Sequence, residues 1–161
     1  MKNSGSVVLN QLMSPSSVNL KLKSTERDGV LEELVNQVGE IAKQPEARQT
    51  LLRALHEREQ LHSTGIGDGV ALPHARNALV GLVDKPVIVF GRSAQGVAFG
   101  AIDGAPSKLF FLLVARTVTE HLAMLARLSR LLRDPRLRQE LLAVDSVSQA
   151  LALIRDAEEK L

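Results

Sequence analysis

Hydrophobic positions along the chain change period several times, and each change marks an element. Val18, Leu20 and Leu22 alternate with Asn19, Lys21 and Lys23, the period-two pattern of a short strand with one wet face. Thr25 and Asp28 have the spacing of a capping box, and Val30, Leu31, Leu34, Val35, Val38 and Ile41 then recur at helical intervals, so a helix is expected over about 26–43. Pro45 suits a helix start, where its missing N–H costs nothing, and Leu51, Leu52 and Leu55 line one face of a second helix ending near Gln60. The stretch from Ser63 to Arg76, STGIGDGVALPHAR, breaks the helical period with three glycines in five residues.

Beyond it, Val87–Phe90 is an apolar run bounded by Pro86 and Gly91, and Lys108–Ala115 is a second; both suit buried strands. Thr117 with Glu120 caps a helix to about Leu132, Asp134-Pro135 interrupts it, a short helix follows, and Ser146 with Gln149 caps the last one. Ser14-Pro15-Ser16-Ser17 marks a turn before the first strand. Residues 1–6 carry nothing to bury and are expected to be a disordered tail, leaving 7–161 as a single domain. Helices at both ends with strands between them, and no strict β-α alternation, predict an α/β fold: a mixed central sheet covered by helices on both faces.

Composition narrows the function. The 161 residues hold 20 Lys+Arg against 18 Asp+Glu, a net charge of only +2, and there is no Trp or Tyr on which bases would stack. Nucleic acid is therefore not expected as a partner. Without cysteine the chain has no disulfide, thiolate metal site or cysteine nucleophile. The longest apolar run, Leu109–Ala115, is far below the ~18 residues that span a bilayer, and the N-terminus lacks a signal-peptide core. The expectation is a cytoplasmic protein with no membrane insertion. Its four histidines form no H-x-x-x-H pair, so neither a metal nor another cofactor is expected, and His56 and His62 are read as structural. Gly91–Gly96 is one residue too long for a serine-hydrolase elbow and is read as a turn between strands.

The informative segment is Gly65-Ile-Gly-Asp-Gly69-Val-Ala-Leu-Pro-His74. Gly65, Gly67 and Gly69 permit positive φ and close backbone approach, which suits either N–H groups presented to an anion or a plain glycine-rich turn. No Gly-Lys-Ser/Thr follows, so it is not a P-loop, and the dinucleotide fingerprint is also unmatched. Pro73 restricts Leu72 to an extended conformation and stiffens the backbone carrying His74. A neutral imidazole held in this way has a nitrogen lone pair able to attack phosphorus.

Together with Arg58-Glu59 just before it, this segment resembles the IIA component of the bacterial phosphoenolpyruvate-dependent phosphotransferase system, of the fructose/mannitol/nitrogen-regulatory type. The likeness runs from about Val7 to the last helix. The resemblance implies an α/β sandwich with a mixed sheet of about five strands, and a phosphotransferase working through a phosphohistidine intermediate. It implies that His74 accepts a phosphoryl group from a histidine phosphocarrier protein, with Arg58, sixteen positions earlier, and His121, at the start of a later helix, beside it. Nitrogen-type members signal by phosphorylation state, here toward a regulated transporter or kinase; sugar-type members pass the group to a IIB cysteine. The chain carries no IIB or membrane domain of its own, which leans toward the nitrogen-type reading.

The residue chemistry agrees with that role: Arg58 offers a fork of donors to phosphoryl oxygens, and His121 lies in a first helical turn where an anion is welcome. Arg58 also belongs to His56-Glu57-Arg58-Glu59, which reads equally as a solvated helix end. Arg127, Arg130 and Arg133 make a basic stripe that would steer an acidic partner if it flanked His74, and Ile66, Val70 and Phe99 are candidates for an apolar docking rim. The rival functional classes are an interaction module that has lost phosphotransfer and a binder of small phosphometabolites.

Overall fold

A computed structural model of the chain describes residues 7–77 and 79–161. The expectation of a disordered tail over 1–6 lies outside the described residues. Two short 3-10 turns, Leu9–Leu12 and Pro15–Ser17, lead into β1 (Val18–Asn19), followed by α1 (Arg27–Asn36), α2 (Gly39–Ala42) and α3 (Pro45–Leu61). The middle of the chain holds β2 (Gly65–Gly67), β3 (Val70–Ala71), β4 (Val87–Val97) and β5 (Ser107–Val114); α4 (Val118–Leu131), α5 (Pro135–Ala143) and α6 (Val147–Glu159) close it. The five strands form one mixed sheet in the order β1-β4-β5-β3-β2. β1 with β4 and β3 with β5 are parallel, while β4–β5 and β2–β3 are antiparallel.

Both faces of this sheet are covered. Leu109, Phe111 and Leu113 of β5 face a core shared with Met124, Leu128, Leu141 and Ile154 from α4, α5 and α6. The alternate residues Phe110, Leu112 and Val114 face a second core with Leu31, Leu34, Leu51 and Leu55 from α1 and α3. A strand buried on both sides must be apolar at every position, which is why KLFFLLVA shows no alternation of its own. Phe90 stacks on Phe111 with ring centroids 4.7 Å apart in the first core, and Phe99 meets Phe110 edge-on at 5.3 Å in the second.

Four local expectations are corrected. β1 stops after Asn19 because the Asn19 side-chain oxygen accepts the N–H of Lys21 and turns the chain, although Leu22 still donates to the Arg92 carbonyl. The helix expected over 26–43 is two helices, with Val38 extended between them. Gly39 costs roughly 1 kcal/mol relative to Ala inside a helix, and the break lets both Val38 and Ile41 turn into the core. No Thr25–Asp28 capping box forms; Glu26 precedes α1 without a side-chain cap, and the Glu33 carboxylate instead accepts the N–H groups of Lys23 and Ser24. Finally, β4 does not end at Gly91 but continues to Val97, with a bulge between Arg92 and Val97, so Gly91–Gly96 is strand rather than turn. Gly91 is required there by close approach: a Cβ would lie 2.6 Å from Leu34 Cδ2 and 2.9 Å from Leu22 Cδ1.

The later caps form as expected, with Thr117 and Ser146 accepting from Glu120 and Gln149 N–H; Asp134 adds a third by accepting from Arg136 N–H. The end of α5 is closed from the sheet: Arg92 Nη1 donates to the carbonyls of Leu141, Leu142 and Val144. Among the described residues no helix is long and apolar enough to cross a membrane.

Glu158 ties the two ends of the chain together. It is 3% exposed, accepts N–H groups from Leu9 and Asn10 and the Asn10 side-chain amide, and pairs with Arg127 Nε at 2.7 Å. Burial pushes its carboxyl up, but Arg127 and these donors outweigh burial and hold it below the usual range. Glu158→Ala strips four donors of their acceptor and should destabilise the fold by about 2–4 kcal/mol in urea unfolding at pH 7. A depressed carboxyl stabilises the fold above the unfolded value of 4.5, and that contribution is lost as pH falls through the folded value. The gap between wild type and variant should therefore narrow below pH 4.5; a loss under about 0.5 kcal/mol at pH 7 would show the tie to be idle.

Candidate functional site

The β2–β3 hairpin delivers His74. Its turn places Asp68 at φ 57° and Gly69 at φ 77°, the paired positive values of a type I′ turn, for which Asp-Gly is a preferred sequence. From β3 the chain runs extended along β5: the Pro73 carbonyl accepts Leu113 N–H at 3.0 Å, and His74 bridges Leu113 in parallel register. His74 thus stands at the end of β5 from which the chain enters α4, and the first turns of α4 bring His121 to it.

The two imidazoles have ring centroids 5.2 Å apart and an interplanar angle of 54°. His74 is 9% and His121 8% exposed. His74 Nδ1 lies 2.6 Å from the Leu72 carbonyl oxygen. A carbonyl can only accept, so Nδ1 carries the proton and Nε2 keeps a free lone pair. Burial pushes the His74 pKa down; the bond to Leu72 opposes this, and the charges of Arg58 and His121 lower it further. Burial likewise lowers His121. Both rings are therefore neutral near pH 7, the state in which His74 is nucleophilic.

Arg58 occupies the last turn of α3 and is half-buried, with Nη1 donating to the His62 carbonyl. Beside Leu61, Ala75 and Arg76 it lines a surface hollow of about 500 Å³. Two neutral imidazoles adjoin, and the Arg58 charge acts on His74. Among the described residues no group of His, Asp and Glu side chains is disposed to hold a metal ion.

The glycines are placed differently. Gly69 accepts from Lys108 and Leu109 N–H, four residues down β5 from the His74 bridge, about 13 Å at ~3.3 Å per residue. Gly67 and Gly69 therefore shape the hairpin turn and are not brought to His74, and Gly65 pairs with Ala71. The carboxylate that meets this turn is the protein's own Asp103, which accepts Asp68 N–H at 3.0 Å. Of the basic stripe, Arg127 is committed to Glu158 rather than to the site. Val70 and Phe99 are buried in the two cores, so of the expected rim only Ile66 is exposed. The exposed large apolar side chains of the two helices that carry Arg58 and His121 are Leu61, Val118 and Leu122, which the sequence reading passed over. His56 pairs with Asp28 at 3.4 Å and His62 is exposed. Glu59, read as part of a solvated helix end, is 5% exposed. Its position, four residues after Leu55 on the apolar stripe of α3, was the available signal.

The chain matches the family described as "Phosphoenolpyruvate-dependent sugar phosphotransferase system, EIIA 2" over residues 11–157. It is 35% identical over 148 residues to the fructose-specific EIIABC component of Bacillus subtilis, covering 91% of this chain and 23% of that protein. It is 32% identical over 152 residues to the nitrogen regulatory protein of Pseudomonas aeruginosa, covering 93% of this chain and 96% of that one. The crystal structure of nitrogen regulatory protein IIA-Ntr from Neisseria meningitidis superposes with a TM-score of 0.77 at 29% identity, over 90% of this chain and 97% of the other.

Both rings should titrate below the ordinary value of 6.5 when followed by NMR. Groups with depressed values favour the folded state above the unfolded pKa, and that contribution is lost as pH falls toward the folded values. Acidification below about pH 6.5 should therefore cost stability, and the cost should shrink in His74→Gln. A His74 ring titrating at or above 6.5 would remove the neutral-nucleophile account.

Proposed function

Since the chain belongs to the EIIA 2 family of the phosphoenolpyruvate-dependent sugar phosphotransferase system, we propose that it is a phosphoryl carrier whose acceptor atom is Nε2 of His74. The observation that supports this is the bond from Nδ1 to the Leu72 carbonyl, which leaves Nε2 as the one nucleophilic ring atom. The donor is a phosphohistidine carrier protein acting in the cytoplasm. The Nε2 lone pair forms the new N–P bond as the donor's N–P bond breaks and its electron pair returns to the donor imidazole. No proton need move, because Nδ1–H stays on the Leu72 oxygen and stabilises the charge that phosphorylation places on the ring. Arg58 and the neutral His121 donate to the phosphoryl oxygens as charge spreads over them.

The nitrogen-type role is favoured by a match that runs nearly end to end with the Pseudomonas and Neisseria proteins. In this role the phosphorylation state governs binding to a transporter or kinase. The second reading, a fructose-type IIA passing the group to a IIB cysteine, is supported by the 35% identity to the Bacillus fructose component.

Incubation with phosphoenolpyruvate, enzyme I and a histidine carrier should add one acid-labile phosphate by intact mass, and His74→Ala should add none. Arg58→Gln and His121→Ala should each slow acceptance by about 10- to 100-fold, the loss of one or two donors to the transferring group. Labelling of His74→Ala would move the acceptor elsewhere. A folded wild type that takes no phosphate from nitrogen-type or sugar-type carriers would point to an interaction module. Discharge onto a IIB domain would favour the sugar-type reading.

A further inference from the structure

Glu59 is a buried carboxylate that phosphoryl transfer does not use directly. It sits on the stripe that Leu52 and Leu55 present to the core, where an apolar side chain would pack without a desolvation cost. Its two oxygens are both engaged by one residue: Oε2 accepts the Thr64 N–H at 3.1 Å, and Oε1 accepts the Thr64 hydroxyl. Thr64 is itself buried, and its carbonyl accepts Leu72 N–H at 2.9 Å. Leu72 in turn offers its carbonyl to Nδ1 of His74 at 2.6 Å. Every link is a hydrogen bond between buried groups, and each lost link would strand a donor or acceptor away from water.

We propose that Glu59 is a positioning residue: by gripping Thr64 at both its N–H and its hydroxyl, it holds the Thr64–Leu72 rung and so aims the Leu72 carbonyl that keeps the His74 proton on Nδ1. Its neighbour Arg58 lies on the same last turn of α3, so one buried anchor registers both the nucleophile's tautomer and the guanidinium beside it. A carboxylate does this where leucine would not, because it is a two-pronged acceptor with a fixed direction. Its consequence for phosphoryl transfer rests on the carrier function proposed above; its consequence for the tautomer does not.

The test compares wild type, Glu59→Ala, Glu59→Gln and Thr64→Val in the full chain. Ring 15N shifts of unphosphorylated His74 are recorded at a pH where the ring is neutral, alongside acceptance kinetics from the histidine carrier. Wild type should show the single Nδ1–H tautomer and Glu59→Ala a mixture of the two. Acceptance by Glu59→Ala should fall roughly tenfold in kcat, with KM for the carrier changed less than about twofold. Glu59→Gln keeps an acceptor for the Thr64 N–H and a donor for its hydroxyl oxygen, and should restore most of both readouts. A folded Glu59→Ala with the wild-type tautomer would overturn the proposal. Should that variant not fold, Glu59→Leu, which loses both links while filling the space, takes its place, and a wild-type tautomer there overturns the proposal equally; Thr64→Val isolates the hydroxyl link. If wild type accepts no phosphate the carrier function fails, while the 15N comparison still decides the role of Glu59.

Discussion

The burial of β5 on both faces is the constraint from which the rest of the structure follows. Alternate residues of Ser107–Val114 feed two cores, so the strand can exist only with helices packed above and below it and with strands on both edges. Its partners differ in direction, β4 antiparallel and β3 parallel, and the parallel side is the one that matters for chemistry. The chain leaving β3 remains in register with β5 as far as His74, and β5 itself passes into α4, which carries His121. One strand therefore sets both imidazoles at one end of the sheet.

The candidate site holds two neutral imidazoles away from water. Burial depresses both histidines, and a backbone carbonyl, an acceptor that cannot itself titrate, decides which nitrogen of His74 carries the proton. Arg58 reinforces neutrality in the resting state, because a nearby cation disfavours imidazolium. The same charge favours the dianionic phosphoryl group that transfer would bring. An arrangement that keeps the proton on Nδ1 leaves Nε2 free for the transfer proposed above.

Elsewhere two charged side chains drawn wholly or partly from water each meet several partners. Glu158 collects donors from both ends of the chain, and Arg92 closes the end of α5 through three carbonyls without any carboxylate. Such clusters offset desolvation better than an isolated pair would, and they exist because strands and helices remote in sequence are brought together.

Local physics was legible from the residues alone. The helix starts at Pro45, Thr117 and Ser146, the apolar β5, the mixed sheet with helices on both faces, and the stiff Pro73-His74 segment were all readable, since each depends on steric or hydrogen-bonding preferences within a few neighbouring residues. Two local breaks, at Asn19 and at Val38-Gly39, were missed; the other features that failed to read through have a distant partner. β4 runs past Gly91 because Arg92 and Val97 still pair with β5, with Leu34 of α1 packed over that glycine, and Arg127 of the basic stripe pairs with Glu158. Gly67 and Gly69 sit in a motif that resembles an anion loop, yet the register with β5 sets them about 13 Å from His74. Glu59 looked like solvated charge beside Arg58 until the hairpin folded Thr64 back onto it. The sequence by itself pointed to most of the elements, the candidate residue types and the family; the tertiary structure decided how far β4 runs, which remote side chains meet and which charges are buried, because those depend on register and packing between segments far apart along the chain.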